Sequence, residues 1–175
     1  MKRERAKRVV DKLVVEVRSS VRRGVPGPVR IARWVREAVG AKGNGAELAV
    51  RIVGAAEGQR LNLLWRGRDY PTNVLSFPAP ADAVKGKVRR SLGDIVICAP
   101  VVVREVKQQQ KRLDDHWAHL LIHGALHLLG HDHEREAEAT RMERRERLIL
   151  ARFGIADPYR ISSALSEPAA VSEQR

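Results

Sequence analysis

Cysteine is almost absent from this chain of 175 residues; the one present is Cys98. A lone thiol cannot close an intramolecular disulfide, so a disulfide-stapled secreted scaffold is excluded and a reducing, cytoplasmic setting is expected. Long apolar runs are missing as well. No stretch approaches the ~20 apolar residues a membrane-spanning helix needs, so an intrinsic membrane protein is not expected. The opening stretch MKRERAKRVVDK is basic, but no apolar core or cleavage site follows it, so it does not read as a signal peptide. Acidic residues are in deficit, 21 against 33 Lys and Arg, for a net charge of +12. The deficit is uneven. Residues 1–40 hold twelve Lys and Arg against four acids, a net of +8, whereas residues 134–175 hold eight of each. A one-sided basic excess suits a polyanionic partner, nucleic acid or an anionic membrane surface, although solubility alone also explains it.

Histidine is missing from most of the chain too, and this absence is the informative one. All six histidines lie between His116 and His133.

The surrounding pattern predicts an α+β domain over residues 1–154, with a four-stranded mixed sheet packed with about five helices, and a frayed tail over 155–175. Alternation through Leu13, Val15 and Val17 predicts a strand, and AELAVRIV a second. Between them, PVRIARWVREAV places Ile31, Trp34, Val35 and Ala38 at helical spacing, with Gly40 as its stop. EGQRLNLLWRGRD predicts a short helix ending near Gly67. NVLSFP and SLGDIVICAP predict strands either side of a polar loop over 79–90, the second ending at Pro100. Helix is expected onward to Gly154, with breaks near Asp114–Asp115 and at 130–132.

DHWAHLLIHGALHLLG reads as one helix, capped by Asp114 or Asp115 and stopped by Gly130. At about 100° per residue, His116, His119, His123 and His127 share a narrow stripe. The rest of the circumference is apolar, so the helix is a buried one. A single histidine on such a helix is usually a satisfied core residue. Here His123 and His127 stand one turn apart, and Gly130 permits the left-handed turn that returns either His131 or His133 to the same point. Three neutral imidazoles make an open zinc site with the fourth position left to water; nickel or another divalent metal suits the same donors. A fourth ligand from His116, His119 or His131 is the structural-metal alternative.

The zinc-protease signature H-E-x-x-H needs a glutamate beside its first histidine. That position is Gly124. Hydrolysis must then rest on metal-activated water, helped by a group from elsewhere, and an arginine fork suits an anionic phosphodiester.

Three blocks, LNLLWRGRDYPTNVLSFP at 61–78, SLGDIVI at 91–97 and HGALHLLGHDHE at 123–134, resemble the YbeY family, bacterial rRNA maturation factors described as metal-dependent endoribonucleases. The likeness runs over roughly residues 45–150. It implies an α+β fold with a zinc-protease-like helical metal site. It implies His123, His127 and His133 as ligands and Arg66 as a residue needed for activity, so Arg66 and His127 are the catalytic candidates. It further implies a single-strand-specific endoribonuclease that processes the 3′ end of small-subunit rRNA and serves ribosome quality control. The partners it implies are the small ribosomal subunit, one of its proteins and an assembly GTPase. Two positions depart from the family pattern: Asn73, where Asp is common, and His131, where Tyr is common.

Other positions have plainer readings beside functional ones. Asp132 either orients a ligand imidazole or caps the helix that follows it. Asp94 either faces the site or begins a strand. REAEATRMERRER reads as a solvated helix face, and Ser76 as an ordinary strand residue. RNA contact is assigned to Arg66 and to Arg30, Arg33 and Arg36, with Arg22 and Arg23 beside them, because the apolar face of their helix must point inward. Two other functions stay open on the residues alone: a non-catalytic RNA-binding assembly factor with a structural metal, and a metal hydrolase of another substrate such as a peptide.

Overall fold

Strand β1, Val14–Ser19, lies parallel to β2, Ala46–Val53, and β2 lies parallel to β4, Arg90–Cys98. Strand β3, Val74–Pro78, closes the other edge antiparallel to β4, so the sheet order is β1-β2-β4-β3. This is a computed structural model, and it describes residues 12–80, 89–131 and 133–160. Among the described residues five α-helices accompany the sheet: α1 (Pro28–Val39), α2 (Ala55–Arg66), α3 (Ala99–Gln109), α4 (Leu113–Leu128) and α5 (Glu136–Ala151). The expected α+β fold with a mixed four-stranded sheet is the one observed.

Alternation decides which side of the sheet each helix covers. Leu48, Val50 and Ile52 of β2 join Ile95 and Ile97 of β4 on the face packed by α1 and α4. Val53, Leu75, Val96 and Cys98 point the other way, into a smaller cluster with Leu61 of α2 and Val101 of α3. The register shifts at Gly93. There β4 carries an extra residue opposite Glu47–Leu48, and φ is +121°. A Cβ at that position would stand 2.1 Å from the Phe77 carbonyl oxygen, so only glycine lets β3 close onto β4.

Helix α4 runs through the middle of the molecule. Trp117, Ala118, Leu121, Ile122, Ala125 and Leu126 are all fully buried. Its end is a Schellman turn: Gly130 (φ +83°) donates to the His127 carbonyl and His131 to the Leu126 carbonyl. This is the left-handed return expected at Gly130.

Several element ends differ from expectation. The break between α3 and α4 comes at Gln110, whose φ is 52°, and α4 begins at Leu113 with Arg112 in the cap position. Asp114 and Asp115 therefore sit inside the first turn, where their charge offsets the helix dipole, and Asp114 is held by Arg30 instead of capping. Pro100 does not end β4; it lies in the first turn of α3, where its missing N–H has no partner to lose. Strand β4 starts at Arg90, earlier than expected, and residues 81–88 of the preceding loop lie outside the described residues. The cap of α5 is Arg135, not Asp132, which itself lies outside the described residues. The packed chain also continues past Gly154. Ile155 lies against the core and Tyr159 bonds to α5, while residues 161–175 lie outside the described residues.

Candidate metal centre

Helical spacing brings His123 and His127 edge to face on α4, with ring centroids 4.6 Å apart. The Schellman turn then returns the chain, and the His133 ring stacks 5.7 Å from that of His123 and meets His127 edge to face at 4.9 Å. One donor nitrogen from each of the three lies within 4.8 Å of the other two. Of the two histidines after the turn, His133 is the one grouped with His123 and His127. His131 lines the same cleft, but its Nε2 is buried without a hydrogen bond, and burial holds its pKa below the usual value, helped by Arg145 and Lys42.

The tautomers suit a metal. Nδ1 of His123 is 2.7 Å from Oε1 of Glu146. Glu146 is fully buried, and its carboxyl is held down to about 2: burial alone would raise it, but hydrogen bonds from His119, His123 and Tyr159 outweigh that. An ionised carboxylate only accepts, so the His123 proton belongs on Nδ1 and its Nε2 presents a bare lone pair. That lone pair faces Nε2 of His127 at 3.1 Å. Tetrahedral ligands at ~2.0–2.1 Å from a zinc ion stand about 3.4 Å apart, so the pair is spaced as two ligands of one ion.

Glu146 is what the sequence reading missed. It sits in REAEATRMERRER, which reads as a solvated helix face, yet it is 0% exposed. The correction is physical: α5 lies along α4, and the one acid turned inward meets donors that satisfy it. Besides His123, its carboxylate accepts from Nε2 of His119 at 3.2 Å and from the Tyr159 hydroxyl. Arg147 lies over the Tyr159 ring, 5.1 Å from its centroid. Burial and the neighbouring Glu146 charge push the Tyr159 phenol well above its usual pKa, so it stays a donor. His119, His123 and Glu146 also form a compact donor group. They read better as a carboxylate–histidine support than as a second metal site, because three protein hydrogen bonds already occupy the carboxylate.

Of the remaining stripe histidines, His119 shares the Glu146 carboxylate with His123, whereas His116 has a partner of its own. His116 is buried, with Nε2 donating to Glu105 at 2.7 Å; burial would raise the Glu105 carboxyl, but bonds from His116 and Asn73 bring it below its usual value. His116 and His119 line a second cleft of about 410 Å³. Asn73 explains its own departure from the family pattern. Its amide donates to both oxygens of Glu105 at 3.1 Å, a contact in which an aspartate would set two carboxylates together.

The three imidazoles line a cleft of about 710 Å³, which Arg66, Arg68, Asn73 and Ser76 also line. Arg66 sits at the C-terminus of α2, and Gly67 (φ +66°) turns the chain back so that Arg68 joins it. Gly124 shows why the protease glutamate is missing. A Cβ there would meet Ile95 and the Ser76 hydroxyl at 3.1 Å, so this flank of α4 is pressed onto the sheet. Ser76 spends its hydroxyl on the Gly124 carbonyl at 3.2 Å. Asp94 is exposed in the middle of β4 and does not line the cleft. Nor do the arginines of α1. Arg30 pairs with Asp114, Arg33 lies 5.4 Å over the Phe153 ring, and Arg36 donates to the Leu13 carbonyl at 3.0 Å. Among the described residues, no helix is long and apolar enough to cross a membrane.

Residues 28–154 match the family described as Endoribonuclease YbeY. The chain is 57% identical over 142 residues to the Endoribonuclease YbeY of Alkalilimnicola ehrlichii, covering 80% of this chain and 86% of that one. It is 53% identical over 135 residues to that of Halorhodospira halophila, covering 77% and 88%. The fold is also that of the solution structure of TM1509 from Thermotoga maritima, with a TM-score of 0.55 at 22% identity over 85% of this chain and all of that one.

Proposed function

The chain belongs to the YbeY endoribonuclease family, and from that premise we propose that it is a zinc-dependent endoribonuclease cutting single-stranded segments of ribosomal RNA, in maturation of the small-subunit 3′ end and in ribosome quality control. One observation carries the reading: the three imidazoles come together in a cleft that Arg66 and Arg68 also line. A metal held only to support the fold would not need to lie in a cleft lined by cations. When bound, the ion supplies a water of lowered pKa and a Lewis acid for a phosphoryl oxygen.

The chain supplies the rest. Arg66 and Arg68 hold the phosphodiester against the cleft wall, and the fixed charge of Arg66 stabilises the negative charge that develops there. His123 is kept in its ligating tautomer by Glu146. Asp132 remains a candidate for orienting a ligand imidazole. Gly124 offers no general base, which disfavours peptide hydrolysis by the usual glutamate route. Arg30, Arg33 and Arg36 form a peripheral phosphate-contacting face on α1, outside the cleft. The partners of this reading are the small ribosomal subunit, one of its proteins and an assembly GTPase, in the cytoplasm.

The test is to incubate metal-loaded and chelated protein with defined single-stranded RNA, duplex RNA and peptides, with elemental analysis alongside. The reading expects about one zinc per chain, and cleavage of unpaired RNA that a chelator abolishes and zinc restores. Stoichiometric metal without RNA cleavage would leave the non-catalytic assembly factor as the better account.

A further inference from the structure

Most large apolar side chains of this protein are inside, yet four exposed ones fall within eight residues: Leu63, Leu64, Trp65 and Tyr70. Trp65 is 63% exposed and Tyr70 52%. The other two tryptophans, Trp34 and Trp117, are buried. Exposed aromatic rings are poorly hydrated, and here two of them, Trp65 and Tyr70, flank two cations, Arg66 and Arg68. Arg66 and Arg68 line the metal cleft, as does Pro78 next to Phe77. The Trp65 ring meets Phe77 edge-on, with centroids 5.5 Å apart and planes at 60°. Tyr70 is held through its hydroxyl, which accepts from Arg68 Nη1 at 3.2 Å. Both rings are therefore anchored by one edge while much of their surface faces solvent. Both belong to the same short segment as the cleft's cations.

Resting on the endoribonuclease reading, we propose that Trp65 and Tyr70 form a stacking platform for unpaired nucleobases flanking the phosphate held by Arg66 and Arg68. Two aromatic rings flanking a pair of cations suit a single strand, whose bases flank its phosphates. Base–aromatic stacking tolerates any sequence, because every base presents a π-face. A duplex keeps its bases stacked on one another and cannot offer them, so the platform selects unpaired RNA without reading its sequence. A protein partner would use the leucines as well, but would not need guanidinium groups set between the rings.

Because Trp34 and Trp117 are buried, tryptophan emission changes on ligand binding report mainly on Trp65. The metal-loaded full chain is mixed with an unpaired RNA 12-mer, the same strand annealed to its complement, and an abasic strand of equal charge. Emission is followed in the first phase, before turnover, and cleavage is scored in the same mixtures. Quenching is expected from the unpaired strand alone. Trp65→Ala or Tyr70→Ala should raise KM for unpaired RNA by about 5- to 100-fold with kcat and metal content little changed, and Trp65→Phe should recover most of the loss. Cleavage without quenching, equal affinity for the abasic strand, or normal KM in Trp65→Ala overturns the platform and leaves the endoribonuclease reading standing. Quenching by a ribosomal protein but not by RNA would assign the patch to a protein partner and overturn it equally. RNA neither bound nor cut by metal-loaded protein would overturn both.

Discussion

Glu146→Gln alters the one buried acceptor behind the metal ligands while keeping its size. The wild-type carboxylate accepts from His123, His119 and Tyr159 together. A carboxamide has one acceptor oxygen and carries donors in place of the other, so it cannot serve all three. Where its NH₂ faces His123, the imidazole is driven to carry its proton on Nε2, the atom that must present a lone pair. Loss of such a carboxylate–histidine partner typically costs about 10- to 100-fold in metal affinity, or about 1.4–2.8 kcal/mol. The variant should therefore bind zinc more weakly by that factor, shown by competition against a chromogenic chelator. RNA cleavage should fall at limiting zinc and recover largely at saturating zinc. Glu146→Ala goes further: it leaves buried donors unanswered, and should lower folding stability by about 3–5 kcal/mol as well. Unchanged zinc affinity in Glu146→Gln, in a folded protein, would refute this, because the carboxylate would then not set the tautomer of His123.

Other perturbations separate the parts of the site. His127→Ala should lose both metal and activity, whereas Arg66→Ala should keep its metal and lose about 10²–10³ in cleavage rate; equal metal loss in both, by elemental analysis, would make Arg66 structural. His116→Ala should retain stoichiometric metal, since its ring bonds to Glu105 and not to the ligand set. Replacing Arg30, Arg33 and Arg36 together by Gln should weaken binding to all RNA sequences alike. It should also flatten the salt dependence of affinity by about 0.7 log units per tenfold salt for each phosphate that is no longer neutralised, and an unchanged slope in a salt titration would remove α1 from the interface. Glu105 has a lowered carboxyl pKa, so its contribution to stability is present above the ordinary glutamate value and vanishes as pH falls through the lowered one. Thermal unfolding from pH 5 down to pH 3 should thus decline less steeply in Glu105→Gln than in the parent protein.

Helix α4 was legible from the residues alone, because its information is local. Four histidines at three- and four-residue spacing on an apolar helix must share a stripe, and a glycine after the last turn must reverse the chain. The α+β class followed from strand and helix periodicities for the same reason. The helix ends read less well. Asp114 looks like a cap by residue type, but Arg30, brought by α1 from 84 residues away, holds it elsewhere. Asn73 likewise shows its purpose only once α3 sets Glu105 beside it.

The choice between His131 and His133 was not local. Both follow the same turn, and only the path of the chain beyond Gly130 sets which imidazole returns to the ligand pair. Glu146 was the least legible of all. It lies among charges of both signs at helical spacing, and nothing in that run marks one acid as buried. Burial of a charge depends on whether the opposite surface supplies enough donors, and those donors, His119 and His123 on α4 and Tyr159 beyond α5, belong to separate segments. Sequence periodicity determines which face of a helix turns inward. Only the packed structure decides what that face meets, and therefore whether a carboxylate there is a penalty or the support of a metal site.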